Sequence, residues 1–320
     1  MMKVAVIIPC YKVRAHVMDV LARMPAEITR IYCVDDACPE GSGKLIEDNC
    51  KDRRVRVLFH EKNRGVGGAV ITGYKAALEE GADVILKIDG DGQMDPALIP
   101  VFVRPIEENL CDYAKGNRFY HPEGVKSMPP ARLFGNAVLS FLTKLSSGYW
   151  HIFDPTNGYT AIHAAVLREI PLDKISRGYF FESDMLFRLN IIRAVVRDIP
   201  MRARYGGESS NLSIVKVVPR FLWGHGANFL KRVVYNYFLR DFSVASLELL
   251  AGPLLFVFGL FFGLEKWAQS VLMGVTASAG TVMLSALPVL VGIQMMLSFL
   301  QYDIQATPRE PIHGDLMRLN

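Results

Sequence analysis

Two long apolar runs close this sequence and constrain everything that precedes them. Phe242–Leu264 carries one charged residue, Glu248, and Val271–Leu300 carries none. A helix that crosses a bilayer needs about 20 mostly apolar residues, so each run reads as a transmembrane helix. As core helices of a soluble protein they would demand more burial than a chain of 320 residues offers twice in succession. Before Arg240 apolar and charged segments alternate, as in a water-facing domain. The first residues lack the length and flanks of a signal peptide. Lys216, Arg220, Lys231, Arg232 and Arg240 precede the first run, whereas the linker offers Lys266 beside Glu265. The positive-inside rule then places both ends inside and the linker outside. The expectation is an integral protein of a bacterial inner membrane or its equivalent, with residues 1–240 in the cytoplasm.

The net charge of +4 is mild, and the basic cluster beside the membrane accounts for much of it, so no nucleic-acid partner is implied. The five cysteines, Cys10, Cys33, Cys38, Cys50 and Cys111, lack a repeated CxxC spacing. They read as reduced thiols of a cytosolic segment.

Within the first half, Val4–Pro9, Ile31–Asp35, Val55–His60 and Val84–Asp89 are short strand-like runs. Helical patterns fall at about Arg14–Met24, Ser42–Asn49, Gly68–Glu80 and Ala97–Glu108. This alternation predicts an α/β domain with a largely parallel sheet, whose ligands bind beyond the carboxyl ends of the strands. Further helices are expected near Phe134–Ser146, Ala164–Glu169 and Glu182–Ala194, after a long loop around His121–Pro130. From Val217 to Arg240, basic residues mix with aromatic ones at helical spacing, which suits amphipathic helices in the headgroup layer.

The sharpest local feature is Asp89-Gly90-Asp91-Gly92-Gln93, directly after an apolar run. Two carboxylates at i and i+2, separated by glycine, can turn toward one cation, and hard oxygen donors suit Mg²⁺ or Mn²⁺ completed by water and substrate phosphates. Met94-Asp95-Pro96 follows in place of the acidic closure of an EF-hand. A second strand ends in Val34-Asp35-Asp36, and Asn63-Arg64-Gly65-Val66-Gly67-Gly68-Ala69 follows a third. That glycine run permits close backbone approach and opens a helix whose N-terminus favours phosphate. It is neither a Walker loop nor a GxGxxG fingerprint.

Pro9-Cys10-Tyr11, Asp35-Asp36, Asn63-Arg64-Gly65 and Asp89–Gln93 together resemble the nucleotide-sugar half of family 2 glycosyltransferases. More narrowly, the chain resembles the dolichol-phosphate mannose synthase and bacterial polyprenyl-phosphate glycosyltransferase group. Asp154-Pro155-Thr156-Asn157-Gly158-Tyr159, Gly178-Tyr179-Phe180-Phe181 with Asp184, and Arg204–Ser209 are similar to further segments of that group. The resemblance implies a GT-A-type, Rossmann-like catalytic domain (residues 1–212), amphipathic interface helices (213–241), a two-helix transmembrane anchor (242–302) and a cytoplasmic tail (303–320).

It further implies a nucleotide-sugar donor of the UDP- or GDP-hexose type and a polyprenyl phosphate acceptor. Pro9, Tyr11, Asp35, Asp36, Asn63, Gly67, Asp89 and Asp91 would line the donor site. Asp89, Asp91 and Gln93 would hold Mg²⁺ or Mn²⁺, and Arg118, Arg132 and Arg204 fall where the group places arginines for the acceptor phosphate. Asp154 and Asp184 would support these groups. The product would be a polyprenyl-phosphate-sugar, formed with inversion, for cell-envelope glycan or glycolipid assembly. The sequence departs from the pattern at Lys12-Val13, where the group carries Asn-Glu, and at Ser210-Asn211, where it carries lysine.

The chemistry is self-consistent. Departure of a nucleoside diphosphate builds negative charge that a cation and arginines stabilise. A phosphate monoester, with a second pKa of about 6, is largely dianionic at neutral pH. It therefore attacks without a general base and needs positioning by arginine forks. Two other readings stay open: transfer to a hydroxyl of a lipid-linked saccharide, which would require a carboxylate base, and a silent nucleotide-binding membrane scaffold. The small residues Ala277–Gly280 suit helix contacts between protomers, so a homo-oligomer is an expectation.

Overall fold

The computed structural model describes residues 2–120, 130–202 and 214–319. The chain forms two compact units, residues 1–229 with 308–320, and residues 230–307. In the first unit one sheet holds β1 (Val4–Cys10), β2 (Arg30–Asp35), β3 (Val55–Phe59), β4 (Val84–Lys87), β5 (Tyr113–Asn117), β6 (Thr160–His163) and β7 (Val196–Pro200). Their spatial order is β3-β2-β1-β4-β6-β5-β7. The first four run parallel, joined by α1 (Val17–Ala22), α2 (Ser42–Asn49) and α3 (Val66–Glu79). β6 runs against both its neighbours, β4 and β5, and β5 pairs in parallel with β7. The sheet is therefore mixed, with four of its six strand pairings parallel, in keeping with the largely parallel sheet expected from the alternation.

Period-two patterning explains why these runs are strands. Val4, Val6, Ile8 and Cys10 pack into one apolar cluster, while Ala5 and Ile7 enter another. Ile31 and Cys33 divide from Tyr32 and Val34 in the same way. Both faces are covered, so the strands read as unbroken apolar runs. Full burial of a side chain such as Ile7 or Ile8 contributes about 1.5–3 kcal/mol.

Residues 308–320 belong to this first unit. Asp112, just before β5, accepts backbone N–H bonds from Val195 at 2.7 Å, Ile312 at 3.0 Å and His313 at 3.0 Å, and takes the His313 ring Nδ1–H at 2.8 Å. The His313 ring stacks on His163 with centroids 4.4 Å apart, and Ile312 and Leu316 pack against the second apolar cluster. His163 Nδ1 accepts from the Ala165 amide at 3.1 Å, so its proton sits on Nε2, which meets no hydrogen-bond partner among the described residues.

The second unit contains two helices long and apolar enough to cross a membrane, Val244–Met273 and Ala279–Gln305. Their most apolar stretches are mostly exposed, as lipid-facing helices are and core helices are not. The first continues about nine residues beyond the expected end at Leu264, through Glu265 and Lys266. Glu265, Lys266 and Gln269 bond one another along its surface and are good helix formers. Gly274, at φ +64, ends it, and Ser278 caps the next helix by accepting the Thr281 amide. The two helices approach closely through small residues. A Cβ on Gly259 would stand 2.7 Å from the Ser285 carbonyl, and one on Gly292 2.6 Å from that of Gly252. Glu248 is engaged here, accepting from Ser298 Oγ at 2.7 Å. Arg232, one of the basic residues that precede the first apolar run, is buried and forked onto Asp303 at 2.5 and 3.0 Å.

One pH dependence follows from the tail. Burial, and then His313, push the His163 imidazole down to about 4, against the pull of Asp112 and Asp83, with Arg168 adding to the depression. An exposed histidine takes its proton near 6.5, so the undocked state gains a proton first as pH falls. The contribution of His163 should be complete above pH 6.5 and lost progressively toward pH 4. Protection factors of the Ile312–Leu316 amides, which correct for the slowing of intrinsic exchange in acid, should fall across that window, and His163→Phe should remove most of the fall. Protection factors that stay constant to pH 4.5 in the wild-type chain would contradict this.

Candidate functional site

The order β2-β1-β4 sets three parallel strand ends side by side, so the polar residues after them share one edge of the sheet. At the end of β2 the Asp35 carboxylate accepts the amides of Cys38 at 2.7 Å and Gly43 at 2.6 Å. Asp36 accepts the amides of Arg64 at 2.7 Å and Gly65 at 2.8 Å, and bonds His60 Nδ1 at 2.7 Å. Asn63 Oδ1 accepts the Gly65 amide as well, at 3.0 Å. Both aspartates thus shape the loops of this edge from within, and both are buried. Pro9 lies in β1, and Tyr11 follows it half-exposed. Val13 turns inward, where its side chain lies against the backbone of Gly90.

The glycine run has a partner within the chain. Gly65 has φ +82, and a Cβ there would stand 2.5 Å from the Arg177 carbonyl oxygen. A Cβ on Gly67 would lie 2.5 Å from the Ser176 carbonyl oxygen, and the Gly68 amide donates to Arg177 O at 3.2 Å. The close approach that sequence assigned to phosphate is made here by the segment 176–178. Asp184 fastens that segment from its other side. It accepts the Ser176 amide at 2.9 Å, Arg188 Nε at 3.1 Å and Asn228 Nδ2 at 3.0 Å.

Beyond β4, Gly92 takes φ +79, and the Gln93 amide donates to Asp91 Oδ1 at 3.0 Å. Asp89, Asp91 and Gln93 are all half-buried at this edge. Behind Asp89 lies Lys87, 1% exposed, with Nζ 3.0 Å from Asp89 Oδ1 and 3.1 Å from Glu182 Oε1. Burial alone would depress this ammonium, but Asp89 and Glu182 outweigh it and hold its pKa above the ordinary lysine value. Gly158 gives the cluster room: a Cβ there would come 2.2 Å from Lys87 Nζ and 2.7 Å from Asp89 Oδ2. Tyr159 closes the turn, donating to Asp95 O at 3.0 Å and stacking on Phe102 at 4.1 Å.

At the end of β5, Arg118 grips Asp154 with two guanidinium bonds, Nε to Oδ2 at 2.8 Å and Nη2 to Oδ1 at 2.9 Å. Its backbone amide donates to the same carboxylate at 3.1 Å. Asp154 is fully buried, so the fork is held in a fixed plane. Beside it Lys115 is buried with Nζ 2.5 Å from Asn157 O. Burial pushes this lysine down to about 8, with Glu182 and Asp154 offsetting part of the shift. Arg132 falls on the helix Pro130–Ser147, its side chain outside the described part, and Arg204 lies outside the described residues.

Sequence reasoning gave no role to Lys87, Glu182 or Lys115, and none to Gly158 beyond its place in the segment Asp154–Tyr159. One signal was present, since a lysine inside an otherwise apolar strand is seldom buried without a paired charge. His151 bonds Val196 O at 2.8 Å and His225 bonds Ser146 Oγ at 2.8 Å, while His163 sits in the tail cluster. The five cysteines are free thiols.

No group of three or more His, Cys, Asp or Glu side chains gathers into a metal cage among the described residues. Asp89, Asp91 and Gln93 nevertheless offer an all-oxygen donor set on one turn. That set fits a Mg²⁺ or Mn²⁺ held by one or two carboxylates and completed by substrate phosphates.

A mixed α/β sheet with acidic turns at its strand ends is the GT-A architecture of nucleotide-sugar transferases. The family model for glycosyl transferase family 2 matches residues 5–171, more than half of the chain. The chain belongs to that family. It is 29% identical over 213 residues to a UDP-N-acetylglucosamine–dolichyl-phosphate N-acetylglucosaminyltransferase of Methanococcus voltae, covering 62% of this chain and 84% of that one. It is 31% identical over 204 residues to an undecaprenyl-phosphate mannosyltransferase of Micrococcus luteus, covering 62% and 83%. Among solved structures, glucosyl-3-phosphoglycerate synthase of Mycobacterium tuberculosis, in complex with Mn²⁺, UDP and glucosyl-3-phosphoglycerate, superposes with a TM-score of 0.55. The sequences are 15% identical over 72% of this chain and 80% of that one. This last likeness is one of fold.

The glycine contacts generate a stability prediction. Gly65→Ala forces a Cβ against the Arg177 carbonyl at a backbone angle that disfavours it. The first unit should lose roughly 1–3 kcal/mol in thermal or denaturant unfolding. Gly81→Ala provides the contrast, since its Cβ would meet nothing within 4 Å and only the backbone-angle penalty (φ +74) remains.

Proposed function

We propose that this protein transfers a hexose from a nucleoside-diphosphate sugar to a polyprenyl phosphate at the cytoplasmic face of a membrane. The observation that carries this reading is the similarity of the whole catalytic part to transferases whose names specify dolichyl and undecaprenyl phosphate, in a chain that also has two helices fit to span a bilayer. Asp89, Asp91 and Gln93 would hold the Mg²⁺ or Mn²⁺ that screens the leaving diphosphate. Asp35, Asp36 and Asn63 shape the loops that receive base and ribose, with Pro9, Tyr11 and Gly67 lining the same edge. Arg118, with Arg132 and Arg204, would orient the acceptor phosphate, while Asp154 holds the Arg118 fork and Asp184 holds the loop that closes on the glycines. The dianionic acceptor attacks the anomeric carbon directly from the side opposite the leaving group, which inverts that centre, and no side chain need take a proton.

The test is product formation from undecaprenyl or dolichyl phosphate, scanning UDP- and GDP-hexoses with and without Mn²⁺. One donor should give a lipid-phosphate-linked sugar, and EDTA should abolish it. Asp91→Ala should lower turnover by at least roughly 100-fold, the scale of a lost transition-state charge contact. Arg118→Lys, which keeps charge but not the fork, should raise the KM for polyprenyl phosphate more than that for the donor. Transfer to a lipid-linked saccharide hydroxyl but not to a phosphate would sink this reading, and so would nucleotide binding without transfer.

A further inference from the structure

We propose that Lys87 is a positioning residue for the donor site, its buried ammonium fixing the orientation in which Asp89 meets the nucleotide and its cation. This rests on the donor-site reading of Asp89–Gln93 given above. Lys87 cannot touch the donor itself, because its side chain is 1% exposed. Its two carboxylate partners differ in a telling way. Asp89 is 31% exposed and opens onto the strand-end edge, whereas Glu182 is 10% exposed and stays behind it. The ammonium therefore occupies one oxygen of Asp89 and balances a second carboxylate that would otherwise repel it. Glu182 begins the helix Phe181–Ile191, directly after the segment 176–178 that packs on Gly65 and Gly67. One ammonium thus ties the cation-binding turn to the segment that covers the glycine turn. The space for it is kept by Gly158, where any side chain would strike Nζ and the Asp89 carboxylate together.

Two plainer accounts make different predictions. A buried ion pair with only a fold-holding role would affect stability without touching metal-linked binding. A cation that merely competes with the metal for Asp89 would weaken Mn²⁺ binding by its presence, and its removal would strengthen it. Positioning predicts the opposite sign, since loss of a group that orients a metal-binding side chain costs roughly 10- to 100-fold in metal affinity.

The experiment uses the full chain in detergent, with UDP and GDP as probes, titrated by calorimetry in Mn²⁺ and in EDTA. Mn²⁺ binding is followed separately by electron paramagnetic resonance. Lys87→Met should weaken the Mn²⁺-dependent part of nucleotide binding and the Mn²⁺ affinity itself roughly 10- to 100-fold. The pair Lys87→Met/Glu182→Gln removes the stranded carboxylate. It should fold even where the single variant does not, and show the same loss. Unchanged or tighter Mn²⁺ binding in a folded variant overturns the role. So does an equal loss in EDTA, which would make Lys87 a direct phosphate ligand. A wild-type chain that binds neither nucleotide overturns the donor-site reading instead.

Discussion

A buried ammonium at the end of an apolar strand is tolerable only if negative charge meets it on the spot. Lys87 meets that condition with Asp89 on its own strand end and Glu182 from a helix almost a hundred residues later. The arrangement requires β4 and the helix Phe181–Ile191 to be in register, and it requires a glycine at 158. Removing one partner would leave another charge stranded, so the three residues hold or fail as a unit. Much of the site's geometry descends from that requirement.

Around this cluster the chain repeatedly uses its own backbone as a ligand. Asp35 and Asp36 take four main-chain amides between them, and Asp184 takes a fifth. Such charge-assisted bonds are stronger than neutral ones, and they hold loops that would otherwise carry unpaired N–H groups at the sheet edge. The glycines at 65 and 67 serve the same end by letting one loop lie against another. A site for a diphosphate gains from such rigidity, because positioning and fixed charge do most of the chemical work in this class of transfer.

The pair of long apolar helices is built on different terms. Lipid offers no hydrophobic drive for helices to associate, so close backbone contact through small residues does that work, as Gly252, Gly259 and Gly292 do here. Two ion or hydrogen-bond pairs are built into this unit: Glu248 with Ser298, and Arg232 with Asp303. Within the first unit, the segment around Ile312 and His313 docks through Asp112.

The sequence alone determined the apolar spans, the first four strands with their helices, and the placing of Asp35, Asp36, Asp89 and Asp91 after strand ends. These are local properties: hydrophobic period, strand length and turn chemistry act within ten residues or so. β5, β6 and β7 escaped because they carry Lys115, His163 and Arg197, whose burial or exposure depends on neighbours far away in sequence. For the same reason only the tertiary structure decided that Lys87 is a buried counter-charge, that Gly65 and Gly67 face the segment 176–178, and that Asp154 holds Arg118. Each is a contact between elements roughly forty to over a hundred residues apart, set by how the sheet brings them together. No periodicity in the sequence records it.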